Sequence, residues 1–315
     1  MNKLFAVAIV CANLFTSTSS FAEKAVKLIN PVFYSSEQTA EYLTSGDNYL
    51  SSWGEFDVLS RLHNDSATYN EVVDFVKKQA RSWDETSTKI VKTSIEKLNK
   101  NIEANGFNLP LADKVPFMLS AMGEEGQCAA YTRREGIAIS NRSVYRYPNF
   151  DILVAHELFH VLTRNNPDFK KKIYKLIGFE TLKKDIAVPE SFKNKIISNP
   201  DVDHHNTYAT FKIGGKKVDC AMFIFSKSKW KGGTFFDYLE VGLIEIDKKK
   251  CELVLKDGEP IIHSVSEAED FYDKVGIGTS YIIDPEEILA DNFSYVLCNS
   301  FNSKLEKSIK KLLTK

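Results

Sequence analysis

A chain of 315 residues with 43% hydrophobic and 26% charged residues has the composition of an ordinary soluble globular protein, sized for one large domain or two modest ones. Its formal net charge of −1 excludes a bulk electrostatic case for nucleic acid. The lysine-rich pieces "KKKIYK" and "KKLLTK" are interleaved with apolar residues and read as solvated helix faces.

Residues 1–22 have the layout of a secretory signal peptide. Lys3 is followed by an apolar run from Leu4 to about Phe15, then by small and polar residues ending in Ser20-Phe21-Ala22. The run is shorter than the roughly 20 residues a membrane span needs. Cys11 lacks the preceding small residue of a lipoprotein signal. The expectation is cleavage after Ala22 and export to the periplasm or beyond, with no stable membrane span afterwards. Of the remaining cysteines, Cys220 and Cys251 flank a strand-rich segment and are the first candidates for a disulfide, with buried free thiols the competing reading.

Residues 23–115 read as a helical N-terminal lobe. Helical patterning runs from about 69 to 105, with Ser82 and Glu85 spaced as a capping box. Val91, Ile95, Leu98 and Ile102 recur at three- and four-residue intervals along one face, and Asn105-Gly106 ends the helix. Between 115 and 146 the pieces "VPFMLSAMG", "QCAAYTR" and "GIAISN" are short, apolar and punctuated, as strands are. A buried helix follows in "YPNFDILVAHELFHVLTRNN", with Asn149 or Asp151 as its cap, and another covers about 168–178. Residues 200–263 break into strand-like runs, forming a small antiparallel sheet inserted in the larger domain, 116–315. From Pro285 onward the chain is helical again. The order fits an α+β domain with an inserted sheet and helical N- and C-terminal parts.

Within the buried helix, His156-Glu157-Leu158-Phe159-His160 forms an HExxH pattern. Histidines four apart lie on one helix face, so both imidazoles can reach one ion. A catalytic Zn2+ site uses three protein ligands and keeps one position open, and Glu157 is placed to act as general base on an activated water. The third ligand has to come from elsewhere. Candidates are Glu287, Glu286, His204 and His205. Glu287 is favoured because "DPEEILADNF" supplies a capped helix: Asp284 caps, Pro285 takes the first position, and Asp291 shares the face of Glu287. Asp291 would then accept the free ring N–H of a ligating histidine. Glu286 lies about 100° around the helix and is expected to face elsewhere. His204 and His205 sit in the polar loop "NPDVDHHNTY". Tyr281, one turn before the second helix, is a weaker candidate for stabilising an oxyanion.

On "HELFH" and "EILAD", the chain resembles the gluzincins, the thermolysin-like zinc metallopeptidases. The resemblance covers two helices. It implies a zincin-like α+β fold in which an antiparallel sheet packs on the HExxH helix. It also implies a Zn2+ cofactor, a peptide or protein substrate paired with the edge strand of that sheet, and hydrolysis by zinc-activated water. The strand expected at that edge is Glu135–Asn141. One departure is that Glu287 lies 127 positions after His160, far more than in many members, and the inserted sheet has to fill that gap. Competing readings are a catalytically silent zinc-binding module and a zinc hydrolase of non-peptide substrates.

Overall fold

A computed structural model describes residues 26–64, 66–300 and 302–314. The proposed signal peptide and Cys11 lie outside the described residues.

The chain is a mixed α and β structure built on two sheets. In the first, β1 (Pro31–Phe33), β3 (Val115–Ser120) and β5 (Gly136–Ser140) run parallel, and β4 (Ala130–Arg133) closes the order β1-β3-β5-β4 antiparallel to β5. The two-residue β2 (Ala80–Arg81) pairs with the far end of β3. Two expectations are corrected here. This sheet is mixed rather than antiparallel, and Glu135–Asn141 contributes an interior strand. Every residue of β5 is buried, as befits a strand flanked on both sides. The edge is β4, with Thr132 at its centre.

One face of this sheet carries α1 (Ser36–Thr44) and α3 (Tyr69–Lys77), whose Tyr42, Leu43, Val72 and Val76 share a core with Met118, Tyr131 and Ala138 of the strands. The short α2 (Glu55–Leu62) stands beside them. The other face packs on α4 (Glu85–Asn105) and α6 (Phe150–Asn165), the latter reached through the one-turn α5 (Ser143–Arg146). Val91, Ile95, Leu98 and Ile102 are all buried here, so α4 and β1 share one core with the HExxH helix. The α4 cap is Asp84 with Ser87 rather than Ser82 with Glu85: Asp84 Oδ1 and Ser87 Oγ each satisfy the other's backbone N–H. Asn149 precedes α6 in a left-handed conformation, without a side-chain cap.

After α7 (Pro167–Tyr174) comes the second sheet, antiparallel throughout: β6 (Phe179–Thr181), β7 (Thr207–Ile213), β8 (Lys216–Ser226) and β9 (Leu239–Asp247), with one-turn α8 (Glu190–Lys193) between β6 and β7. The short β10 (Glu252–Leu253) and β13 (Ile262–His263) pair with β9, and β11 (Leu255–Lys256) pairs with β12 (Glu259–Pro260). Phe211, Met222 and Leu243 join this sheet to the main core. Cys220 packs in that core, whereas Cys251 turns its Sγ toward the carbonyl of Lys248. All four cysteines of the described residues are free, so the expected Cys220–Cys251 disulfide is absent.

The one-turn α9 (Phe271–Val275) leads to α10 (Pro285–Leu297), which lies along α6, and α11 (Lys304–Leu313) closes the chain. Asp284 caps α10 by accepting from the Glu286 N–H at 2.8 Å, the small, buried Ala290 leaves room between the two helices, and Phe293 packs on Phe159 of α6. No helix among the described residues is long and apolar enough to cross a membrane.

Candidate metal centre

Helices α6 and α10 bring His156, His160 and Glu287 together, with one ligand atom from each lying within 4.8 Å of the others. Glu287 Oε2 is 3.0 Å from His156 Nε2 and 3.6 Å from His160 Nε2. The second Glu287 oxygen accepts from Asn199 Nδ2 at 2.7 Å. Each imidazole is held on its far side by a carboxylate. His156 Nδ1 stands 2.9 Å from Asp291 Oδ1, and His160 Nδ1 stands 3.1 Å from Glu286 Oε1. Fixing the outer nitrogen in this way turns the inner nitrogen toward a shared point.

Glu286 therefore does not face elsewhere, as its angular offset suggested. It turns along α10 to meet His160, Thr163 and Tyr174, whose hydroxyls both donate to it. Lys170 completes this buried group, 4.0 Å from Glu286 Oε2. So the first lysine of "KKKIYK" points inward rather than into solvent.

Glu157 is 2% exposed, and its Oε2 accepts from Thr132 Oγ1 at 3.0 Å. The loop before β7 supplies two further polar groups, Asn199 and Asp201. Asp201 Oδ1 accepts the backbone N–H of Thr132 at 2.6 Å, and its carboxylate groups with Glu157 and His160 as a second set within 4.8 Å. The loop "NPDVDHHNTY" thus reaches the centre, but not through its histidines. His204 is exposed and pairs with Asp185 at 2.9 Å, and His205 stacks on Phe223 with ring centroids 4.6 Å apart. Neither joins either ligand set. Asp201 escaped sequence reading because an acid in a polar loop looks like any solvated carboxylate. Tyr281 lines the approach, 40% exposed, with its ring 6.4 Å from that of His156.

The electrostatics fit a cation. Burial opposes the charged form of His156, yet bonds to Asp291 and Glu287 outweigh it and raise the imidazole to about 10. Burial likewise opposes ionisation of Glu287, but His160 and His156 hold its carboxyl far below the usual range. Burial, with Glu157 beside it, pushes Asp201 well up. Among the described residues His160 Nε2 is buried without a hydrogen-bond partner, an arrangement rare in folded proteins and suited to a nitrogen that ligates a metal. Two imidazoles and a carboxylate are also a donor set that divalent transition metals accept. The residues present fit such an ion.

No family model, curated protein or solved structure matches this chain.

Proposed function

We propose that the chain is an exported zinc metallopeptidase, periplasmic or secreted, with a gluzincin-type site on a zincin-like α+β scaffold. The observation that carries this reading is the convergence of His156, His160 and Glu287 on one point, with Glu157 in the same buried pocket. His156, His160 and Glu287 hold Zn2+, and Asp291 orients His156. When bound, zinc polarises the substrate carbonyl and brings the pKa of a water to roughly 7. Glu157 takes that water's proton and returns it to the leaving nitrogen. Thr132 holds the Glu157 carboxylate through its hydroxyl, while its backbone N–H, on the outer edge of β4, is already donated to Asp201. Tyr281, at the mouth, is the available phenol for the oxyanion.

A second reading is favoured by Asp201. Its carboxylate near His160 and Glu157 could occupy the open position and make a closed, non-catalytic zinc module. Metal analysis of purified mature protein, coupled to a peptide-library cleavage screen, separates the two. Zinc at one equivalent with cleavage, and loss of cleavage but not of zinc in Glu157→Gln, supports the peptidase. Zinc without cleavage supports the silent module. Near-normal turnover in Glu157→Gln would rule out the mechanism.

A further inference from the structure

The loop carrying Asn199, Pro200 and Asp201 stands as a wall across the edge strand. It is tied down from both sides. Ser198 donates through its N–H and Oγ to Asp57 at 2.9 and 2.7 Å, and its carbonyl accepts from Arg61 at 2.8 Å. Arg164 of α6 donates to the Pro200 carbonyl at 2.7 Å. Asp57 and Arg61 are themselves paired and buried, so the anchor is firm. The wall takes up the Thr132 N–H that an extended chain along β4 would otherwise use.

On the Ala130 side of this wall lies a cavity of about 60 Å³, lined by Ala130, Ile224, Phe235, Leu239, Tyr281 and Ile283, with Asp201 at its rim. That volume holds a few waters or one short apolar side chain. Glu125, which also borders it, is already bonded by Tyr49 and Arg61, so the cavity offers no free polar group of its own there. Among the described residues no hydrogen bond reaches Asp201 Oδ2, and Asp201 stands beside both His160 and Glu157. A carboxylate at the rim of an apolar, single-side-chain cavity, next to the reacting centre and backed by a wall, is suited to an amine on the residue that fills the cavity.

We propose that the substrate is a peptide with a free N-terminus and a short aliphatic first residue, whose side chain fills this cavity and whose ammonium is held by Asp201. The proposal rests on the peptidase reading. It makes the enzyme exo-acting, because a wall next to the metal ligands leaves room for one residue on that side. The reaction adds water across the first peptide bond. The C–N bond breaks, the first residue leaves as a free amino acid with a new carboxylate, and the proton from water ends on the new N-terminal nitrogen of the shortened peptide.

Three lysine-free or lysine-bearing decapeptides test this with the zinc-loaded mature protein: one with free N-terminal valine and no lysine, its N-acetylated form, and an acetylated form with an internal lysine. Products are followed by mass spectrometry. The expected result is stepwise loss of single residues from the free peptide, with kcat/KM for both acetylated peptides lower by about 10–100-fold, the worth of a bond to a charged group. Asp201→Asn should raise KM for the free peptide and abolish its preference over the acetylated one. Calorimetric binding of free and acetylated valyl-dipeptides to Glu157→Gln protein gives a readout that needs no turnover, and the free form should bind more tightly by the same factor. Internal cleavage of all three peptides at equal rates would overturn this inference and leave the peptidase reading intact. Preference for the lysine peptide alone would also overturn it, by assigning Asp201 to a side-chain amine. Equal binding of both dipeptides together with no cleavage of any peptide would remove both.

Discussion

Asn199 donates to one oxygen of Glu287 at 2.7 Å, while His156 Nε2 lies 3.0 Å from the other. A loop residue before the second sheet thereby sets the rotation of a carboxylate on α10. Without Asn199, Glu287 is free to turn about its last torsion, and the Oε2 that faces both imidazoles loses its fixed place. Asn199→Ala should therefore weaken zinc binding by about 10–100-fold, the usual consequence of removing a group that orients a ligand. Chelator-competition titration measures it. Unchanged affinity would show that packing alone orients Glu287.

Glu286 carries a second expectation. Its buried carboxylate meets His160, Thr163, Tyr174 and Lys170. Burial opposes its ionisation, but His160 and Lys170 hold it ionised, below the usual range. Glu286→Ala leaves the buried Tyr174 hydroxyl without its acceptor, frees His160 Nδ1, and leaves the Lys170 ammonium with Asp203 alone. The variant should lose about 2–5 kcal/mol of stability in denaturant unfolding, together with zinc affinity. Glu286→Gln keeps an acceptor and the shape, and should lose less of both. Equal losses in the two variants would mean that side-chain volume, not charge and hydrogen bonding, is what the position supplies.

His205 gives a pH-dependent outcome away from the centre. Burial against Phe223 pushes its imidazole down to about 4. The unfolded chain, near the ordinary imidazole value of 6.5, then binds more protons than the folded chain between these two values. Stability from neutral His205 is fully present above pH 6.5 and is lost as pH falls toward 4. Glu125, raised by burial to about 7, acts in the opposite sense over part of this window, so the comparison is made between variants. The melting temperature of the natural protein should fall more steeply from pH 6.5 to 4 than that of His205→Gln. Parallel curves would contradict a buried neutral imidazole.

The two helices that carry the proposed ligands were legible because their signals are local. Spacing of four puts His156 over His160, and the Asp284-Pro285 start sets the face of Glu287 and Asp291. The strands between 115 and 141 were legible for the same reason, since Gly and charged pairs interrupt each apolar run, whereas the three-residue β1 and two-residue β2 were too short to leave a period and fell within the segment read as helical. Strand order was not, because pairing is non-local. The evenly buried "GIAIS" marks a covered strand, and a covered strand has neighbours on both sides, which places β4 rather than β5 at the edge. Glu286 was misjudged by treating α10 as if it faced α6 alone. Tyr174 and Lys170 of α7 lie on its neighbouring flank and draw the side chain inward. Asn199 and Asp201 had no sequence signal of their own, because their role comes from where Asp57, Arg61 and Arg164 hold the loop.

Thr132 offers the most direct test of how the edge strand serves the proposed base. Its hydroxyl donates to Glu157 Oε2 at 3.0 Å and also reaches the Glu157 carbonyl at 3.1 Å. Burial raises the Glu157 carboxyl, and the bond from Thr132 is one of the contacts that oppose this rise. Thr132→Val keeps the branched shape and the backbone N–H that Asp201 accepts, but deletes the hydroxyl. On the peptidase reading, two consequences follow in the zinc-loaded protein. The carboxylate is less well aimed, so kcat should fall by about 10-fold. Its charged form also loses a donor, so the acid limb of the kcat/KM profile should move to higher pH, since a base has to be ionised to take a proton. Zinc affinity should change little, because the Thr132 hydroxyl bonds to Glu157 and not to His156, His160 or Glu287. A fall in rate with no movement of the acid limb would limit Thr132 to aiming Glu157. A profile and rate both equal to those of the unsubstituted protein would take Thr132, and with it the link between β4 and the proposed base, out of the mechanism.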